Sequence, residues 1–119
     1  MSIGVLLSNF PAVERTWAGQ DMILGLATLD LNPQLLLEGA AVRLLAPGHD
    51  QTRGNEREPQ SMQKRFRLLA LFDCPAVWVM QQDLDCYGLA VQELILPVQI
   101  VDQQQWALQL QSLPSILRY

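Results

Sequence analysis

A chain of 119 residues and 13.4 kDa fits one domain with its own core, formed without disulfide or metal staples. Half of its residues are hydrophobic, too many for a disordered chain, yet no run approaches the ~20 apolar residues that a membrane span needs. The net charge of −4 and the pI near 4.7 exclude the basic excess of a free-standing nucleic-acid binder.

Taken in chain order, Ile3 to Leu7 is a short apolar run of the kind buried on both faces of a parallel sheet. A connection through Asn9-Phe10-Pro11-Ala12-Val13 leads to a helix over Arg15 to Leu29, whose inward stripe is expected to be Ala18, Met22, Ile23, Leu26 and Leu29. Pro33 stops it, because proline disfavours helix at the residue before it. Gln34 to Leu37 reads as a second strand and Gly39 to Leu45 as a short helix ended by Pro47-Gly48. His49 to Pro59 holds no large apolar residue and reads as a surface loop, of a length that is usually functional or mobile.

Ser61 to Phe72 is expected as the next helix, with Met62, Phe66, Leu69 and Ala70 inward. Val77-Trp78-Val79-Met80 is a third strand, and Gln81 to Tyr87 a helical turn capped by Gly88. Glu93 to Val98 reads as a fourth strand with Pro97 at its end. Asp102 caps a helix to Leu113 with Trp106, Ala107, Leu110 and Leu113 buried, and Ser115 to Tyr119 is the fifth strand. The alternation specifies a single α/β domain over residues 1–119, an open, mainly parallel five-stranded sheet with helices on both faces.

The chemistry-bearing residues form no catalytic constellation. The first strand-to-helix turn lacks the glycines of a phosphate cradle and contains Pro11, so nucleotide and flavin binding are disfavoured. Cys74 lies between Asp73 and Pro75, and Cys86 follows Asp85; neighbouring carboxylates oppose thiolate formation, so both read as inert thiols. His49 is the only histidine and reads as solvent-exposed, without the convergent donors of a metal site or the partners of a triad. Asp83 and Asp85, two apart, do not face one another on a helix and suggest a solvated turn. Lys64, Arg65 and Arg67 form the one basic cluster, a solvated face or a contact for an acidic partner. Trp17, Trp78 and Trp106 read as core, with Trp17 also suited to an interface. No basic residue precedes Arg15, so a secretory signal is not expected; the chain reads as cytoplasmic, with reduced thiols.

Phe66-Arg67-Leu68-Leu69-Ala70-Leu71-Phe72-Asp73, then Val77-Trp78-Val79-Met80, then Gly88-Leu89, resemble the TusC/DsrF-like proteins of the DsrE/DsrF sulfur-relay family. The Leu-Leu-Leu-Glu-Gly of residues 35–39 and the closing Ile116-Leu117-Arg118-Tyr119 extend the resemblance over essentially the whole chain. The resemblance implies an open α/β sheet and membership of a heterohexamer with TusB-like and TusD-like sister subunits. It further implies an indirect part in relaying persulfide sulfur from TusA-like to TusE-like proteins, for 2-thiolation of the tRNA wobble uridine. The family's acceptor cysteine closes the third strand, eight residues before a glycine; counting back from Gly88 places Met80 there. A methionine has no S–H and cannot hold a persulfide, so the expectation is a structural subunit with no catalytic residue, cofactor or metal.

Two other readings stand beside this one: a stand-alone small-ligand or nucleotide-binding α/β domain, and a subunit of a DsrEFH-like sulfur-oxidation complex. A sulfurtransferase working through Cys74 or Cys86 rests on the presence of those thiols alone. Leu68, Leu71 and Leu108 fall off the inward stripes, a surplus that predicts a permanent oligomer burying ~2,000 Å² or more, and self-association in isolation.

Overall fold

The structure, a computed structural model, describes residues 3–8, 13–54 and 57–119. Its main sheet contains β1 (Ile3–Leu7), β2 (Gln34–Leu37), β5 (Val77–Met80), β6 (Val98–Val101) and β7 (Ser115–Arg118). The spatial order is β6-β5-β2-β1-β7, and every neighbouring pair is parallel. Helices α1 (Glu14–Thr28), α2 (Met62–Phe66), α3 (Leu68–Leu71), α4 (Gln81–Cys86) and α5 (Gln103–Ser112) connect the strands, with 3₁₀ turns at Gly39–Leu45 and Val91–Glu93.

The strands step in one direction from β1 to β6, and the last crossover returns to the far side of β1. Right-handed crossovers in one direction place their connections on one face, and a reversed crossover places its helix on the other. Two cores result. Val5, Leu7, Leu35, Leu37, Val77 and Val79 face Trp17, Ile23, Ala27, Met62, Phe66 and Leu84 of α1, α2 and α4. On the opposite face Leu6, Leu36, Met80 and Val101 pack under Trp106 of α5, with Trp78, Leu110, Leu113 and Ile116 at the margin.

The order of elements follows the sequence reading, and several details depart from it. In α1 only Ile23 of the expected stripe is buried in the first core; the inward residues are Trp17, Ile23, Leu24 and Ala27, while Ala18, Met22 and Leu29 face outward. The alternative stripe wins because it carries Trp17 and the small Gly19, which lets the helix approach Leu7 and Tyr119. The expected helix 61–72 is broken at Arg67, where the Ala70 N–H bonds the Arg67 carbonyl; this tighter turn keeps Leu69 inside and turns Ala70 out.

The expected loop 49–59 contains an antiparallel hairpin, β3 (Thr52–Arg53) with β4 (Gln60–Ser61). Gly54 turns it at φ +99°, and a Cβ there would lie 2.7 Å from the Glu58 carbonyl oxygen. Of the run expected as a strand over 93–98, Leu94 to Pro97 is instead a loop, in which Leu96 is buried and Leu94 and Ile95 are half-buried. The Ile95 N–H bonds the Leu45 carbonyl at 3.0 Å, and the strand begins after Pro97, whose carbonyl accepts the Val77 N–H at 3.1 Å. Proline lacks the donor that a ladder needs, so pairing starts at the next residue. In α5 Trp106 is buried as expected, but Ala107 is exposed and Leu110 and Leu113 are half-buried.

Helix ends are built from short-range chemistry. Asp102 caps α5 in a reciprocal box: its carboxylate accepts the Gln105 N–H at 2.7 Å and the Gln105 side chain accepts the Asp102 N–H at 3.1 Å. Asp30, Asp73 and Gly88 end α1, α3 and α4 in the left-handed conformation. The following N–H groups of Leu31, Cys74 and Leu89 reach back to the carbonyls of Leu26, Leu69 and Leu84.

Candidate functional site

In an open parallel sheet, ligands and chemistry gather at the carboxyl ends of the strands. That edge presents Leu7, Leu37, Met80 and Val101. Met80 closes β5 opposite Val101 and is followed without a loop by α4. Its side chain is 7% exposed and belongs to the second core, against Leu6, Leu36, Val101 and Trp106. The residue at this edge is therefore a buried thioether, with neither an S–H to lose nor open access to water.

The turn beside it is rigid. Asp83 is half-buried and accepts the Gly39 N–H at 2.9 Å, which ties α4 to the 3₁₀ turn after β2. Asp85 accepts from the Gln81 side chain at 2.8 Å. The two aspartates thus do separate structural work, and Asp83 is not the solvated residue expected. The Asn9–Ala12 segment of the first connection, weighed as a phosphate cradle, lies outside the described residues.

The two cysteines sit in different settings. Cys74 packs against the first core and lines an apolar cleft of about 260 Å³ with Leu69, Pro75, Val77, Leu96 and Pro97. Burial, and then the charge of Asp73, push its thiol above the ordinary cysteine value, so the thiolate is disfavoured. Cys86 is exposed at the end of α4, and both thiols are free. Among the described residues no group of three His, Cys, Asp or Glu side chains converges on a metal position.

His49 is exposed as expected, its Nδ1 3.3 Å from the Pro47 carbonyl oxygen. It does line a cleft of about 460 Å³, with Arg43, Tyr87 and Glu93, that the sequence reading did not contain. Arg43 lies 5.9 Å from the Tyr87 ring centroid there. These four residues come from two stretches, 43–49 and 87–93, that the packing of the 3₁₀ turn against α4 brings together. The cleft holds no nucleophile–base pair among its described contacts.

The basic cluster is divided. Arg65 is bound: it donates to the Gln20 side chain at 3.1 Å and to Asp21 at 2.7 Å. Lys64 and Arg67 are exposed. Arg53 of the hairpin joins Arg65 on Asp21 and lies 4.5 Å over the buried Trp17 ring. Burial raises the Asp21 carboxyl, but the hydrogen bonds and charges of Arg53 and Arg65 outweigh it and hold the carboxyl below its ordinary value.

A further accessible feature is mainly apolar. The outward face of α1 forms a groove of about 520 Å³ with Ala18, Met22, Gly25, Leu26, Leu29 and Tyr119. Leu29 is 69% exposed, and Leu71 of the neighbouring α3 is 77% exposed. Exposed apolar side chains of this size are surface available for contact. No described helix is long and apolar enough to cross a membrane.

No protein-family model and no curated protein matches the chain. Among solved structures, the ychN protein from E. coli superposes with a TM-score of 0.81 over 100% of this chain and 99% of its own, at 20% identity. The chain therefore has, over its whole length, the α/β fold of the ychN protein, the architecture that the resemblance to the TusC/DsrF-like proteins implied.

Proposed function

We propose that this chain is a non-catalytic structural subunit of a cytoplasmic, TusBCD-like sulfur-relay complex. In this role it binds TusB-like and TusD-like sisters in a heterohexamer and supports persulfide transfer from a TusA-like donor to a TusE-like acceptor, for 2-thiolation of the tRNA wobble uridine. The observation that carries the reading is Met80. It stands at the carboxyl end of β5, where the resemblance puts the acceptor cysteine, and it is sealed in the second core. A residue that cannot form a persulfide, on a fold of this type, fits a subunit that positions others. The exposed Leu29 and Leu108 supply apolar surface for such contacts.

Co-expression with TusB-like and TusD-like proteins tests this reading. A single complex containing all three chains is expected on size exclusion. Sister subunits that assemble fully while this chain stays monomeric would refute it. Incubation with a persulfide donor supplies the second test: an adduct of one sulfur atom, about 32 Da, is expected on neither Cys74 nor Cys86. A stable adduct on either, with relay lost on Cys→Ser replacement, would reassign the chain as a sulfur carrier.

A further inference from the structure

The charge of the chain is unevenly distributed. Residues 53–67 hold five of the eight basic residues and two of the twelve acidic ones, a local balance of +3 against −7 for the rest. The fold gathers much of this segment beside α1. Arg53 and Arg65 share the single carboxylate of Asp21, at 2.8 and 2.7 Å, so the triad carries one uncompensated positive charge. Lys64 and Arg67, one helical turn apart, are exposed, and neither side chain has an ion-pair partner among the described residues. The same helical spacing continues through Leu68 and Leu71, 40% and 77% exposed, to Phe72. One stripe thus presents cations along its first turn and large apolar side chains along its second.

We propose that the Lys64–Arg67–Leu68–Leu71 stripe docks an acidic, amphipathic segment of a partner protein. Its carboxylates meet Lys64, Arg67 and the excess charge at Arg53 and Arg65, and its apolar side chains cover Leu68 and Leu71. Charge complementarity selects this occupant. A nucleic acid is a long polyanion with no aliphatic side chains to bury Leu71, and it would run off the +3 segment onto a surface of the opposite balance. A short acidic segment ends before it meets that repulsion. This contact concerns a partner beyond the sister subunits and does not rest on the proposed role in sulfur relay.

Fluorescence anisotropy on the full chain decides the matter, with a labelled helical peptide of Glu and Leu, an oligoglutamate of equal length, and a single-stranded RNA of equal charge. The Glu/Leu peptide is expected to bind most tightly and to weaken as salt rises from about 50 to about 300 mM, as screening of exposed charges requires. Lys64→Glu with Arg67→Glu is expected to lower its affinity about tenfold, the usual scale for reversing charges across a contact. Leu71→Ser is expected to lower it several-fold, with circular dichroism and melting unchanged in both variants. Failure of the peptide to bind, equal binding to the double variant, or oligoglutamate or RNA binding as tightly as the peptide would each overturn the proposal.

Discussion

Gln20 and Gln63 are buried, and each donates its side-chain amide to backbone carbonyls. The Gln63 amide donates to the carbonyls of Leu44 and Ala46 at 3.0 and 2.6 Å, and that of Gln20 donates to Met62 at 2.7 Å. Gln63→Leu keeps the volume but removes both hydrogen bonds, with the Ala46 carbonyl keeping the His49 N–H at 3.2 Å, so it is expected to cost about 1–3 kcal/mol in urea unfolding, with the slope unchanged. Asp21 gives a pH signature of known sign. Its folded carboxyl lies below its unfolded value of about 3.9, so its contribution is complete above about pH 5 and is lost as pH falls through the folded value. The pair is half-exposed and screened, so the effect is about 1 kcal/mol or less. The stability difference between wild type and Asp21→Asn should be flat from pH 7 to 5 and close below pH 4 in thermal melts. The charge of Asp73 on the Cys74 thiol was legible in the sequence because it acts between neighbours, whereas the burial that outweighs it comes from the packing of distant elements. The partners of Asp83 and Arg65 were not legible: Gly39 and Asp21 lie 44 residues away from each, and no local pattern encodes them.

At the scale of elements, α1 carries two glycines with opposite requirements. A Cβ at Gly19 would stand 2.2 Å from the Leu7 side chain and 3.1 Å from Tyr119, whereas a Cβ at Gly25 meets nothing within 4 Å. Gly19→Ala is therefore expected to destabilise by about 1–3 kcal/mol through overpacking. Gly25→Ala should stabilise by about 0.5–1 kcal/mol, since alanine is the better helix former where nothing obstructs it. Denaturation midpoints of the two variants should move in opposite directions. Asp102→Ala removes one half of the α5 capping box and is expected to cost about 1 kcal/mol. This box was readable because its partners are three residues apart. The inward stripe of α1 was not, since two apolar stripes compete on that helix and periodicity alone does not rank them. Tertiary fit at Gly19 does. The strand expected over 93–98 failed for a related reason: apolar content marks burial, and Leu94–Leu96 are buried or half-buried without pairing.

Over the whole molecule, the order of strands and helices was legible because each segment has its own period and its own stop signal. The strand order was not written in any segment; it depends on which strands pair across the whole chain, and crossover handedness then sets the face of each connection. The apolar surface left on α1 and α3 belongs to this scale as well. Wild-type protein at low micromolar concentration is expected to scatter light as an oligomer. Leu29→Lys combined with Met22→Lys, which touches two side chains of the α1 groove that are 69% and 38% exposed, should lower the mass toward 13.4 kDa without loss of melting temperature. Oligomers that persist in this double variant would move the contact to another face.

The late return of the chain to β1 has a consequence for its synthesis. While residues before 103 emerge from the ribosome, β1 has only β2 beside it, and the face bearing Leu6, Leu36 and Met80 has no helix over it. At about 5–20 residues per second, the nascent chain passes through an interval in which half a core and the inner edge of a sheet are open to other chains. Arrival of Trp106 and then of Ser115–Arg118 closes both at once. A pause in translation shortly before residue 103 would lengthen that exposure, so synonymous codon choice in this stretch should affect the soluble yield more than the same choice placed earlier.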